Sequence, residues 1–583
     1  MSKSYHISRF LNEKEQGNLA QYDNTLSHLL FHRGIKTYSD AQKFLEPNYD
    51  EQSCDPYLLK DARKSALRII EAIKSGQKIA IYADYDADGI PGASLWHSFF
   101  SKIGYKNFVI YIPHRHDEGF GLNIEAVEQL ANEKVDLIVT VDCGITDILP
   151  AKKAKDLGVD LIITDHHEPK DILPEAYAII DHKQKDCNYP DKNICGSGVA
   201  YKLIQAILKT DRLGLSEGHE KWFLDLVGIA TLSDMVPLTG ENRIFAYYGL
   251  KVLRKSHRLG LVQLLKKLKI NQRYINEDDI GYMITPRINA ASRMGLPMDA
   301  FHLLTAENEI DAEKYADHLD KINNERKGVV ASLVKDVKKS LHQRYGDNLP
   351  SVLVVGNPEW RPSLLGLVAN TCAEEFNRPA FFWGRDGGNI IKGSCRSQGR
   401  TNVVELMQMS LPETFIQFGG HKYSGGFAVA NEQIHFLEKR LNEAYDLLSK
   451  PVSQSQIEEI DLEITLDEVG ENLFESINKL APFGIGNPKP VFLLRKVAPI
   501  LIKKFGKSGD HIELIFSKNN GYKVSAISFF GAGQKWSNNL KEREPLDMIA
   551  MIEKSMFRGR PEIRLRVVEI HPANPANTEN TEV

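Results

Sequence analysis

The run Ile79-Ala80-Ile81-Tyr82-Ala83-Asp84-Tyr85-Asp86-Ala87-Asp88-Gly89 decides how the chain is read. Its first half is short, apolar and β-prone. Its second half places carboxylates at three alternate positions, Asp84, Asp86 and Asp88. Charges that close repel one another, so something must offset them. A Ca²⁺ loop, a Mg²⁺ or Mn²⁺ centre and a solvated turn are the candidates. A Ca²⁺ loop of the EF-hand kind needs a bidentate Glu at its twelfth position. That position is Leu95 counted from Asp84 and His97 counted from Asp86, so this reading fails. A solvated turn would explain DYDADG alone, but the pattern recurs. IVTVDCG ends in Asp142, and IITDHH ends in Asp165, His166 and His167.

The surroundings explain why the repeats matter. From Ile79 to about 245, β-rich runs alternate with helical stretches: KIAIYADYD, NFVIYIPH, DLIVTVDCG, DLIITDHH and YAIIDH, with helices between them. That alternation predicts a parallel sheet with helical crossovers. In such sheets the ligand site lies beyond the carboxyl ends of the strands. The acidic endings therefore converge on one rim, and Asp234, after the apolar run LVGIATLS, is expected on a helix or loop over it. Carboxylates with one or two imidazoles and no thiolate favour Mg²⁺ or Mn²⁺, and the imidazole tilts the choice towards Mn²⁺. Five or six donors exceed what one octahedral ion takes alongside water, which predicts two ions bridged by a shared carboxylate.

The other regions differ in pattern. Residues 1–75 read as an N-terminal helical cap, 76–245 as the catalytic α/β domain and 246–345 as a helical connector. The charge-laced stretch from Glu307 to Gln343 forms one long helix within the connector. A second, smaller α/β unit covers 346–450, KPVSQSQ marks a linker, and 455–570 reads as all-β. The tail 571–583 is polar and expected to be disordered. The formal net charge of −4 shows no bulk basic excess, so nucleic-acid binding must rest on local patches. The start has no long apolar region, and no run approaches 18 apolar residues, which argues against a secretory signal and a membrane span. Six scattered cysteines without CxxC spacing fit a reducing, cytoplasmic compartment. His182, Cys187 and Cys195 lack zinc-ligand spacing.

DYDADG, VDCG, TDHH and SDMVP, in that order, match the four motifs of the DHH phosphoesterase superfamily. With PRINAASRMG, FGGHKYSGGF and LAPFGIGNPKPVF, the chain resembles that superfamily's branch of single-strand-specific 5′→3′ DNA exonucleases. The resemblance implies an α/β fold: a parallel-sheet DHH domain, a long helix, a smaller α/β DHH-associated domain and a C-terminal OB-fold barrel. It implies two divalent cations, Mn²⁺ or Mg²⁺, held by Asp86, Asp88, Asp142, His166 and Asp234, with Asp84 in the first position of the motif. His167 joins the catalytic set, and Asp165 orients ligands by hydrogen bonds. Arg115, Ser394 and Arg396 correspond to a 5′-phosphate pocket, Arg287 and Asn289 to contacts near the scissile phosphate. Arg293 is a further phosphate candidate, and Gly419, Gly420 and His421 form a turn suited to approach phosphate.

In the β-rich segment, Phe505, Phe529, Phe530, Trp536 and Phe557, with Lys503, Lys504, Arg558 and Arg560, are the material for stacking bases beside a basic groove. KSMFRGR is the expected exposed patch. The implied activity is degradation of single-stranded DNA from a 5′ end to 5′-mononucleotides, in repair and recombination. A single-strand-binding protein and a helicase are the implied partners, and a monomer is the implied state. The competing readings are a phosphodiesterase for short oligonucleotides or cyclic dinucleotides, and an inactive single-strand-binding scaffold.

Overall fold

The computed structural model describes residues 4–385, 390–399, 401–448, 457–506, 508–555 and 561–573. The chain divides into two compact units. The larger comprises residues 55–234 and 249–453, the smaller residues 1–54, 235–248 and 454–583.

The larger unit contains two sheets. The first has five parallel strands: β1 (Ile79–Ala83), β2 (Phe108–Tyr111), β3 (Leu137–Val141), β4 (Asp160–Thr164) and β5 (Ala178–Ile180). Their order is β2-β1-β3-β4-β5. The chain runs from β1 to one side and then crosses to the other, which opens a crevice at the strand ends between β1 and β3. β1 and β3 are buried at every position. Strands covered on both faces are selected for continuous apolar sequence, which is why IAIYA and LIVTV show no alternation. Helix α1 (Gly89–Ile103) follows β1 and buries Trp96, Phe99 and Phe100 completely. Truncating any of these to Ala would cost about 3–5 kcal/mol.

Helices α2 (Gly196–Thr210) and α3 (Leu224–Ser233) pack beside α1. A π-helical segment, Asp279–Ile284, leads into α4 (Thr285–Met294). The expected connecting helix is present as α5 (Glu309–Tyr345), capped by the Asn308 side chain, which accepts from the Asp311 N–H.

The second sheet is mixed: β6 (Leu353–Gly356), β7 (Ala380–Gly384), β8 (Ile391–Arg396), β9 (Gln417–His421) and β10 (Ser424–Val429), in the order β9-β10-β8-β7-β6. Only β6 and β7 run parallel. Val337 and Leu341 of α5 pack with helix α6 (Pro362–Phe376) on one face, and Leu437 and Leu441 cover the other.

The smaller unit is built on a seven-stranded sheet. Its neighbouring strands are Leu462–Glu463, Phe492–Val497, Leu546–Ser555, Glu562–Pro572, Lys523–Ser528, His511–Ser517 and Leu501–Phe505. Leu26, Leu29 and Leu30 of helix Asn24–His32 share a core with Phe492, Leu494, Leu514 and Phe516. The N-terminal segment, expected to be helical throughout, opens instead with a strand. Ser4–Ile7 pairs in parallel with Ile457–Ile460. Four residues are too few for periodicity to reveal a strand whose partner lies far along the chain. The linker at 450–456, residues 556–560 of KSMFRGR and the tail from 574 lie outside the described residues. No described helix is long and apolar enough to cross a membrane.

Candidate metal centre

The acidic endings do meet. Three overlapping groups of donors lie within 4.8 Å of one another: Asp84 with Asp86 and Asp142; Asp88 with His166 and Asp234; and Asp142 with His166 and His167. They come from the loops after β1, β3 and β4 and from the C-terminal end of α3, where Asp234 is the cap residue. Asp142 and His166 each belong to two groups, so the arrangement suits two neighbouring ions with shared donors. Among the described residues no cysteine belongs to any such group; Cys143, Cys187 and Cys195 are simply buried.

Local structure holds each acid in place. The Asp86 carboxylate accepts from the N–H of Asp88 at 2.7 Å and of Gly89 at 3.2 Å, so it caps α1. Gly89 packs directly on the Asp84 carbonyl, where a Cβ would collide. The Asp88 carboxylate accepts from Gly196 N–H at 2.6 Å and Ser197 N–H at 2.8 Å, at the N-terminus of α2. The positive end of that helix favours a carboxylate. Ser197 Oγ also donates to the Asp88 carbonyl. Gly196 is needed because a side chain there would strike Asp142. Asp142 has φ +63°, a left-handed conformation that Asp tolerates better than most residues. Such strain persists where surrounding structure enforces it, commonly at functional sites.

The histidines have different partners. The Asp165 carboxylate accepts from the N–H of His166 and His167 and meets His167 Nδ1 at 2.7 Å; its other oxygen accepts from Ile145 N–H. Burial alone would raise Asp165. The bond to His167 and the charges of both histidines outweigh it and hold the carboxyl at about 2. Burial opposes protonation of His167, but the Asp165 bond and charge lift it to about 9. His166 is pushed down to about 3 by burial and then by His167, which leaves a neutral imidazole with a lone pair to share. Its Nε2 is 3.1 Å from Asp142 Oδ1, and its Nδ1 is 3.8 Å from Asp234.

A divalent cation fits this set. Asp84, Asp142 and Asp234 are all raised well above the ordinary carboxylate range, by burial first and by neighbouring carboxylates second. Asp88 is raised to about 6 for the same reasons. Asp84 Oδ1 and Asp142 Oδ1 are buried without a hydrogen-bond donor. Acids crowded together, two of them with a buried oxygen that lacks a hydrogen-bond donor, are what bound divalent ions would stabilise.

The proposed phosphate contacts spread over the same unit. Asn289 Oδ1 accepts from Ala87 N–H at 2.9 Å and ties α4 to the DYDADG loop. Arg115 lies over the Tyr85 ring at 4.7 Å. Arg396 follows Ser394 on the same face of β8, and its guanidinium reaches Gly366 of α6, where there is room because that residue lacks a side chain. Arg293 donates to the Ser363 carbonyl. Arg287 departs from expectation: it is buried, donates to Asp320 at 2.7 Å and to the Met283 carbonyl at 2.6 Å, and so is committed to joining α4 to α5. Gly419, Gly420 and His421 lie on the exposed edge strand β9, where Gly420 (φ +140°) packs too closely on Ser424 for a side chain. His421 is within electrostatic reach of His167.

Sequence reading missed Gly196 and Ser197, whose only signal was a small-residue cluster, CGSG, opening a helix. It also missed Phe120. Flanked by Gly119 and Gly121 at φ +84° and +85°, this ring is 54% exposed and stands edge-on to His167 at 5.5 Å. In the smaller unit, Phe505, Phe529 and Phe530 gather around His511, with Arg566 over the Phe529 ring at 4.6 Å. Trp536 packs against the core, Lys503 and Lys504 lie on the edge strand, and Phe557, Arg558 and Arg560 lie outside the described residues.

Three family models match stretches of the chain. Residues 78–231 match the DHH family N-terminal domain, 349–452 the DHHA1 domain and 460–569 the RecJ OB domain. The chain is 35% identical over 507 residues to the single-stranded-DNA-specific exonuclease RecJ of Bacillus subtilis, covering 86% of this chain and 62% of that protein's length. The Salmonella typhimurium RecJ is 30% identical, covering 73% of this chain and 76% of that one. The crystal structure of Thermus thermophilus RecJ in complex with Mn²⁺ superposes with a TM-score of 0.80 at 25% identity, over 98% of this chain and 80% of that one. A structure of exonuclease RecJ bound to manganese aligns with 97% of its length at 29% identity and a TM-score of 0.58. From the three domain matches and these relatives, the chain belongs to the family of RecJ single-stranded-DNA-specific exonucleases.

Proposed function

We propose that this chain is a divalent-metal-dependent exonuclease that degrades single-stranded DNA from its 5′ end to 5′-mononucleotides, in DNA repair and recombination. The observation that carries the reading is the overlap of three donor groups through Asp142 and His166 at the rim of the parallel sheet. The two bound ions would activate a water and steady the leaving oxygen of an in-line displacement. The chain's own residues do the rest. Asp84, Asp86, Asp88, Asp142, His166 and Asp234 would hold the ions. Asp165 fixes the ring of His167 through the Nδ1 contact, and α2 fixes Asp88. The Asp165 bond and charge raise the basicity of His167 beside the acids. Arg115, Ser394 and Arg396 would grip a terminal phosphate, because planar guanidinium forks match its oxygens. Polarity then follows from which end carries the monoester.

The three domain matches support a catalytic α/β domain at 76–245, a DHH-associated domain at 346–450 and a barrel at 455–570. All candidate ligands lie in one unit of one chain, which supports a monomer. Six free cysteines support a reducing, cytoplasmic setting. A helicase to open duplex and a single-strand-binding protein to present it are the partners such chemistry calls for.

The test is cleavage of 5′-labelled single strands, duplex and a cyclic dinucleotide, each with Mn²⁺, Mg²⁺ or chelator. Mononucleotide release from single strands, abolished by chelator, is expected. Cleavage of the dinucleotide alone, or binding without cleavage in any metal, overturns the reading.

A further inference from the structure

Arg115, Arg293, Arg326 and Arg396, all in the larger unit, are among its arginines that have no carboxylate partner among the described residues. Arg115 faces the Tyr85 ring, Arg293 donates to the Ser363 carbonyl and Arg396 to the Cys395 carbonyl. Arg326, on α5, makes no hydrogen bond and no ion pair among the described residues, and its Nε is buried without an acceptor. It shares a helix face with Asp320 and Asn323, at the three-residue spacing that aligns side chains. Asp320 receives Arg287, so this face is the one packed on α4. Asn323 is fully buried, and neither atom of its amide is bonded. Buried polar groups left unbonded are costly and uncommon, and here two such residues lie one turn apart.

The cations fall into two sets. Arg396 is lowered in basicity by burial first and also by Arg115. Arg326 is lowered by burial and then by Arg287, and Lys327 by burial and then by both. Arg293 stands between the sets, held down in basicity by burial and then by Arg115, Arg326 and Arg396. One phosphate monoester accounts for the first set but not the second.

We propose that Arg326, together with Arg293, binds a second phosphate of the strand, an internal phosphodiester, so that the enzyme reads two successive backbone phosphates from two different elements. The inference rests on the single-strand exonuclease reading. Arg326 acts by binding substrate, and α5 becomes part of the strand-holding surface rather than a spacer between the two sheets.

The test is binding of a short phosphorothioate strand to the Mn²⁺-loaded full chain across a salt series, with 5′-phosphate and with 5′-hydroxyl. Arg326→Ala should weaken binding roughly tenfold at low salt, as expected for a charge-assisted bond. It should lower the salt slope by about 0.7, the value for one phosphate on a single strand. It should do so equally for both 5′ ends, whereas Arg115→Ala should act on the 5′-phosphorylated strand only. Arg326→Lys should keep most of the salt slope. Melting of the ligand-free Arg326→Ala protein should be unchanged or higher, because a repelled cation is gone. An unchanged slope, a loss confined to 5′-phosphorylated strands, or a clear drop in melting temperature each overturns the proposal; the last marks a structural role. If the wild-type chain binds no single strand, the exonuclease reading itself fails, and this result is distinct from the other three.

Discussion

The acidic rim and the arginine group of the larger unit are both like-charged clusters, and they are assembled in opposite ways. Every acid but Asp234 sits within five residues of the end of a strand of a single parallel sheet, and Asp234 is added from the end of α3. Parallel strands all finish on one edge, so those residues meet wherever the sheet forms. The arginines come from the loop after β2, from α4, from α5 and from antiparallel β8. Nothing in the connectivity of a single sheet brings these four together; the packing of the second sheet and the long helix does. Each cluster gathers like charges that a ligand of opposite sign would relieve: divalent cations for the acids and, on the proposed reading, phosphates for the arginines. A strand whose phosphate touches both would join them.

The largest expected effect breaks the acidic side. Asp142→Asn keeps the left-handed backbone, since Asn tolerates it, and replaces the charged carboxylate shared by two groups with a neutral amide. Turnover should fall more than roughly a thousandfold, the several kcal/mol that a divalent ion supplies, with fold and strand binding kept. Wild-type turnover in this variant would remove Asp142 from the site.

Asp165→Asn leaves the donors in place but weakens the hold on His167. A loss of roughly 10–100-fold in activity or metal affinity is expected, as for other partners that orient ligands. A loss as large as that of Asp142→Asn would instead place Asp165 directly on an ion.

Arg396→Ala probes the cationic side. It should cost roughly tenfold in kcat/KM on 5′-phosphorylated strands and little on 5′-hydroxyl strands. Equal losses on both would show that the arginine serves the backbone and not the end.

The smallest effect compares the clusters without substrate. Mn²⁺ at a hundredfold excess over its Kd should stabilise the wild-type chain by about 2.7 kcal/mol, read as a rise in Tm. Asp142→Asn should lose most of that rise and, in chelator, should melt above wild type because one buried acid has been neutralised. A metal-free variant that melts lower would mean that the acids do not repel as described.

The legibility of the two clusters differs for the same reason. The apolar runs at Ile79–Ala83, Leu137–Val141 and Asp160–Thr164, each followed by an acid, were enough to anticipate the first sheet and its rim. The role of Arg287 was not readable, because only the structure places Asp320 beside it. Neither was the strand Ser4–Ile7, whose partner is distant in sequence. Gly196 and Ser197 gave too short a signal to be singled out, although they fix Asp88.

The sequence by itself therefore determined the parallel sheet, the order of its acidic endings and the chemistry of the ion they would take, because strand burial and donor type are written locally in residue pattern. Only the tertiary structure decided which arginines remain without a carboxylate among the described residues. A charged side chain is neutralised or left waiting by whatever the fold packs next to it, and that neighbour is set by contacts across long stretches of chain.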